Sequence, residues 1–310
     1  MRCKKLMMGL VLAVALTAPA VGAPPVGAVS RPGSEGRANV SEGRAAVSQG
    51  RAVVSEGRAA VSEGRAAGRA AGVTTFHGWA FDTCLAPSVD TMRRWKASDY
   101  QAVGVYYAGR GRACQRQPQL SHSWMRSVRG LGWKVLPVYV GSQSPCVTAK
   151  HKKDVRIGRH PWRQGTREGR DAVQKAKAFG MQRQSALYLD MEAYTYWKAK
   201  CGNTTLAFVR AWDREVRRLG YVPGFYSSAD SGVRHMEKAR RAGVRDLPAA
   251  MWFARWHTRP HLYREPMLAK NAWRPARRIH QYAGNVKEKH GGRKLMIDRN
   301  LVHAPVARIG

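Results

Sequence analysis

Of the 310 residues, 54 are Lys or Arg and 20 are Asp or Glu, a formal charge of +34. A field of that sign favours polyanions and repels basic partners, while a 44% hydrophobic content is ample for a packed core and excludes disorder throughout the chain. The basic residues run through every segment without a zinc finger, basic helix or aromatic ribonucleoprotein motif, so no specific nucleic acid is expected as a partner.

Arg2, Lys4 and Lys5 precede an uncharged run over residues 6–18, and small residues follow at Ala18, Ala20, Ala23 and Ala28. This order predicts a secretory signal peptide over residues 1–28, with an apolar run too short for a transmembrane anchor. Residues 34–68 repeat as SEGRANV, SEGRAAV, SQGRAVV, SEGRAAV and SEGRAAG. Each unit offers little beyond Ala and one Val, and its Gly costs about 1 kcal/mol in a helix interior. Such units cannot offset the entropy of ordering them, so residues 29–72 read as a low-complexity spacer and 73–310 as one large domain. The expected setting is secreted, extracellular or wall-associated, and the expected partner is a cell-wall glycan or another anionic wall polymer met by a monomer.

Four cysteines follow the leader: Cys84, Cys114, Cys146 and Cys201. An even number in an exported chain predicts two disulfides, and the absence of any C-x-x-C pair argues against zinc. Three pairings are open. Cys84–Cys114 with Cys146–Cys201 is favoured because it joins neighbouring connections.

Strand-like runs occur at 76–82, 102–107, 133–140, 186–192, 221–227, 249–256, 277–283 and 294–300. Ser88 can cap a helix carrying Met92 and Trp95, and Ser121 or Ser123 one carrying Trp124, Val128 and Leu131. Val209, Trp212, Val216 and Leu219 recur at helical spacing before Gly220. Eight strands with intervening helices predict an α/β fold, a (β/α)8-type TIM barrel with a parallel sheet. Pro260, Pro266 and Pro275 break the stretch before strand seven, so the last helices are expected to be missing or reduced and the barrel irregular.

The fourth run, ALYLDMEAY, ends in two carboxylates one residue apart. A charge in an apolar strand costs several kcal/mol, and alternation puts Asp190 and Glu192 on one face ~6–7 Å apart. Asp82 ends strand one and Asp298 strand eight, so all four carboxylates are expected at the C-terminal mouth, where crowding raises at least one pKa. Aromatic residues stand at the same ends: Tyr106, Tyr107, Tyr139, Tyr194, Tyr226, Trp252, Trp256 and Tyr282, with Gln281 between the last two. Carboxylates among rings suit a sugar, and the substrate-binding set is Tyr107, Tyr139, Tyr226, Trp252, Trp256, Gln281 and Tyr282. The ten histidines form no metal-spaced pair, so neither metal nor cofactor is expected; His77 and His280 read as structural.

The segments GWAFDTCLAPS, AVGVYYAG, LYLDMEAY, GFYSS, WFARW, RIHQYAG and IDRN, in this order, resemble the glycoside-hydrolase-like barrel domain of secreted bacterial proteins, which is related to the family 25 lysozymes. The resemblance spans roughly residues 74–306. It implies muramidase-like hydrolysis of peptidoglycan, with Glu192 as general acid and Asp190 stabilising the anomeric cation or orienting an N-acetyl group. Asp82 and Asp298, the latter with Asn300, would shape the pocket. The competing expectation is a non-catalytic wall-glycan-binding or remodelling protein that keeps the cleft, since fold membership does not certify turnover.

The spacer reading makes a direct prediction: limited trypsin digestion trims the chain to a stable fragment beginning near Gly72. Survival of the repeat alongside the barrel would contradict it.

Overall fold

The computed structural model describes residues 72–310; the signal-peptide and heptad-repeat assignments lie outside the described residues. Eight strands close a barrel in chain order: β1 (Thr75–Asp82), β2 (Tyr100–Ala108), β3 (Lys134–Tyr139), β4 (Ala186–Asp190), β5 (Val222–Ser228), β6 (Ala250–Ala254), β7 (Arg278–His290) and β8 (Arg293–Pro305). This is the irregular (β/α)8-type barrel expected from the eight apolar runs. Among the described residues no helix is long and apolar enough to cross a membrane.

Neighbours from β1 to β7 are parallel. The last strand corrects the expectation of a wholly parallel sheet, because β8 runs antiparallel to both β7 and β1. The cause is the connection. His290 pairs with Arg293 across a two-residue loop, Gly291 and Gly292, with φ of +52° and +82°. Two consecutive positive φ values make a tight hairpin turn that reverses the chain, whereas a parallel return needs a crossover of a dozen or more residues.

The helices lie in the earlier crossovers. α1 (Val89–Arg94) is capped by Ser88, whose hydroxyl accepts from the Thr91 amide, and α2 (His122–Gly130) by Ser121, which accepts from Trp124. α3 (Pro161–Ala178), α4 (Ala199–Arg218) and the short α5 (Arg234–Arg241) complete the set. No described α-helix separates β6 from β7, where the prolines fall.

Alternation along the strands sorts side chains into two cores. Phe76, Ala80, Ala102, Leu136, Tyr188, Trp252, Ile279 and Val302 fill the barrel. Phe81, Val103, Tyr107, Tyr139, Leu187 and Phe253 face outward, the layer in which Trp124, Trp212 and Phe208 of the helices are also buried. The expected disulfides are both present: Cys84–Cys114 and Cys146–Cys201, each with its Cα atoms 5.8 Å apart.

α3 was not legible as a helix because its buried side consists of Gly165, Gly169, Ala172, Val173 and Ala176. Those small residues let α4 approach closely: a Cβ on Gly165 would meet the Phe208 carbonyl oxygen at 2.3 Å and Ala211 Cβ at 3.0 Å. Gly165→Ala is therefore expected to destabilise the protein by ~1–3 kcal/mol, the usual cost of overpacking, read as a lower urea midpoint. Gly130→Ala, at a helix position with nothing within 4 Å, should be neutral or slightly stabilising. Equal midpoints for the two variants would refute close α3–α4 packing.

Candidate active site

Asp82 is the innermost carboxylate. It ends β1 pointing into the barrel, opposite Gly104 of β2, where a Cβ would lie 2.5 Å from Asp82 Cβ. Only glycine leaves that space. Three donors converge on the buried carboxylate: Tyr106 Oη on Oδ1 at 2.7 Å, and Asn300 Nδ2 and Gln281 Nε2 on Oδ2 at 2.8 and 3.0 Å. Burial raises its pKa, and the three hydrogen bonds oppose that rise.

Asp298 pairs in register with Asp82 across the β1–β8 ladder. It is therefore mid-strand and reaches the mouth because β8 descends through the barrel, a different route from the strand-end position expected. Asn285 donates its backbone N–H to Oδ1 at 2.6 Å from an irregular stretch of β7, and Gln281 Nε2 lies 3.4 Å from Oδ2. Burial first, and then the Asp82 charge, push its pKa up to about 8.

Asp190 ends β4, two residues earlier than expected, and Glu192 stands in the connection that follows. Gln143 fixes this segment: its Nε2 donates to the Asp190 carbonyl at 2.9 Å, and its Oε1 accepts from the Glu192 amide at 2.8 Å. Asp190 is buried, and its Oδ1 has no hydrogen-bond partner among the described residues. Burial, followed by the neighbouring Glu192 charge, pushes its pKa up to about 8; Lys152 works in the opposite direction. Glu192 lies at the rim, about a third of its side chain exposed, with Oε1 3.6 Å from the Nζ of Lys152. Lys152 is itself buried at 4% exposure, and its ammonium also donates to the Gly111 carbonyl at 2.7 Å.

Four of the seven aromatic and amide candidates meet here. Trp252 Nε1 donates to Asn300 Oδ1 at 2.8 Å, while Tyr226 Oη and Trp256 Nε1 both donate to Gln281 Oε1 at 2.9 Å. Gln281 thus links the rings to Asp82 and Asp298. Tyr107 and Tyr139 do not join the carboxylates: they point outward under α3, with hydroxyls on the Ala172 carbonyl at 3.0 Å and Asp171 Oδ2 at 2.9 Å. Tyr282 packs edge-on against Trp79, 5.9 Å between centroids, and makes no hydrogen bond to the carboxylate network. The inward residue of the Tyr106–Tyr107 pair is Tyr106, in phase with Ala102 and Gly104. That parity was the available signal for Tyr106. For Lys152, in a short 3-10 turn (Lys150–Val155) that also holds Lys150 and Lys153, there was none. Among the described residues no group of three or more His, Cys, Asp or Glu could hold a metal ion.

The raised groups have a consequence for stability. A carboxyl with pKa near 8 in the fold and about 3.9 when unfolded binds more protons in the native state between those values, so stability falls as pH rises through that window. Asp190→Asn keeps the shape and cannot ionise. Its Tm should exceed that of the wild type above pH 8 by ~2–4 °C for each kcal/mol recovered, with the gap shrinking towards pH 5. A gap independent of pH would contradict the assignment.

The Rv2525c-like, glycoside hydrolase-like domain model matches residues 93–302, from the end of α1 into β8. No curated protein sequence matches the chain. Among solved structures, the Tat-secreted protein Rv2525c of Mycobacterium tuberculosis in complex with L-tartrate is similar with a TM-score of 0.51 and 18% identity, over 73% of this chain and 96% of that one. Its HEPES complex gives 0.51 and 19%, over 74% and 96%. The modular autolysin LytC from Streptococcus pneumoniae gives 0.45 and 13%, over 74% and 46%. At these identities the likeness to Rv2525c is one of fold. The domain match covers more than half of the chain, which therefore belongs to the Rv2525c-like, glycoside hydrolase-like domain family.

Proposed function

We propose that this protein is a secreted glycoside hydrolase acting on cell-wall glycan, cleaving a muramidase-like linkage by general acid catalysis at the barrel mouth. The observation that carries this reading is geometric: Asp190, buried with an Oδ1 that has no partner among the described residues, stands two residues from Glu192, whose side chain solvent can reach. Glycosidases use paired carboxyls, one to protonate the leaving oxygen and the other to stabilise the anomeric cation or to orient a substrate N-acetyl group. Glu192 is the group placed to touch a sugar entering from solvent, and it is the proposed donor. Asp190, whose protonated form burial favours, is the proposed group that orients a substrate N-acetyl group, and Asp82 and Asp298 set the field around both. Trp252, Trp256 and Tyr226, tied through Gln281 and Asn300, form the proposed wall for the sugar.

One observation favours the alternative of a glycan-binding protein without turnover. Glu192 is ion-paired with Lys152, and an ion pair needs the carboxylate, whereas an acid must give up a proton. The pair has to part before Glu192 can serve as donor.

Purified full-length protein incubated with peptidoglycan, with reducing ends measured at equal wall occupancy, separates the two readings. Glu192→Gln keeps shape and hydrogen bonding but lacks the proton, so release should fall by ~10²–10⁴-fold with wall binding retained. Equal rates would reject Glu192 as the acid. Absence of release from the wild type, with binding intact, would favour the binding protein.

A further inference from the structure

A cleft lies outside the barrel interior, against the outward-facing Tyr107 and Tyr139. It holds about 760 Å³ between the connection that follows β2 and the outer face of α3, within the size range of small-ligand sites. Four cations line it: Arg110 and Arg112 from the connection, Arg167 and Lys175 from α3. None forms an ion pair among the described residues. Arg110 donates to the Ser142 hydroxyl and the Arg156 carbonyl, both at 3.0 Å, and Arg112 to the Gly109 and Tyr106 carbonyls, both at 3.2 Å. Arg167 and Lys175 have no hydrogen-bond or ion-pair partner among the described residues.

The two acids in the cleft offset only part of that charge, two against four, and neither forms an ion pair with the cations among the described residues. Glu168 accepts from the Ser142 amide at 2.8 Å, the Ser142 hydroxyl and Gln164 Nε2, and Asp171 accepts from Tyr139 Oη at 2.9 Å. Arg112 is the telling member. It is half-buried, its Nη2 has no partner among the described residues, and desolvation disfavours its charge. A partly desolvated guanidinium whose hydrogen bonds go only to carbonyls gains from an oxyanion, which it can grip with two N–H groups.

The frame is also rigid. The connection is tied by the Cys84–Cys114 disulfide, by the Gly111 amide on the Val140 carbonyl at 2.8 Å, and by Gln115 Nε2 on the Arg110 and Arg112 carbonyls at 3.1 and 2.7 Å. A fixed site loses little entropy on binding.

We propose that this cleft is a second binding site, for an oxyanion: a phosphate or carboxylate group held by the four cations. It does not depend on turnover at the carboxylate mouth. In a wall-facing protein it would hold the polymer at a point separate from the site of cleavage.

The test is calorimetric titration of the full chain with short oligomers of glycerol phosphate and, separately, of galacturonate, at about 150 mM salt to screen diffuse attraction. Arg167 and Lys175 are exposed on α3, so R167Q/K175Q should fold normally, and R112Q removes the fork. K289Q/K294Q removes the same charge from exposed, cross-strand-paired positions on the β7–β8 hairpin. Both cleft variants should weaken binding about tenfold or more, and the hairpin variant less than about twofold. Cleft-dependent binding of either oligomer supports the site, and the oligomer that binds names the source. Equal weakening by R167Q/K175Q and K289Q/K294Q, wild-type affinity in R167Q/K175Q, or no binding of either oligomer to the wild type would overturn it.

Discussion

The hydrogen bonds that converge on Asp82 tie the two ends of the barrel wall together. A buried carboxylate needs donors, and here they come from β2, β7 and β8 through Tyr106, Gln281 and Asn300. The donors are in turn held: Asn300 by Trp252, Gln281 by Tyr226 and Trp256. One buried acid therefore positions four rings and two amides. Removing a single member of such a network leaves its partners unpaired, which costs more than the lost bond itself.

That network exists because the barrel closes with a reversed strand. An antiparallel β8 sets Asp298 beside Asp82 and brings Asn300 level with the donors of β7. Asp82, Asp190 and Asp298 all have pKa values raised by burial, while a cation, Lys152, sits at the rim against Glu192. The mouth thus sets three buried acids inside an outer edge that carries an ion pair.

Much of this was legible in the residues. The eight apolar runs marked the eight strands, Ser88 and Ser121 marked two helix starts, and a pair of acids closing the run at Ala186–Asp190 pointed to the site. What failed has physical reasons. In a barrel wall both faces of a strand are buried, so period-two alternation does not say which of Tyr106 and Tyr107 points inward; the small residues Ala102 and Gly104 do. α3 hid because its packing face is built from glycine and alanine, which carry no hydrophobic period. The direction of β8 was written in Gly291–Gly292, a two-residue turn signal that outweighs the pull towards a regular eightfold pattern. Lys152 and Gln143 act through tertiary contacts from the long connection between β3 and α3, and local pattern carries no trace of them.

The central claim is that the barrel mouth holds a proton on Asp190 at neutral pH. Difference infrared titration of the carboxyl stretch, comparing the full chain with Asp190→Asn, tests it directly. The protonated-carboxyl absorbance at pH 7 should be smaller in the variant than in the full chain, the remainder coming from Asp298, and the difference between the two should vanish as the pH passes about 8. Identical protonated-carboxyl absorbance at pH 7 in the two proteins would contradict it.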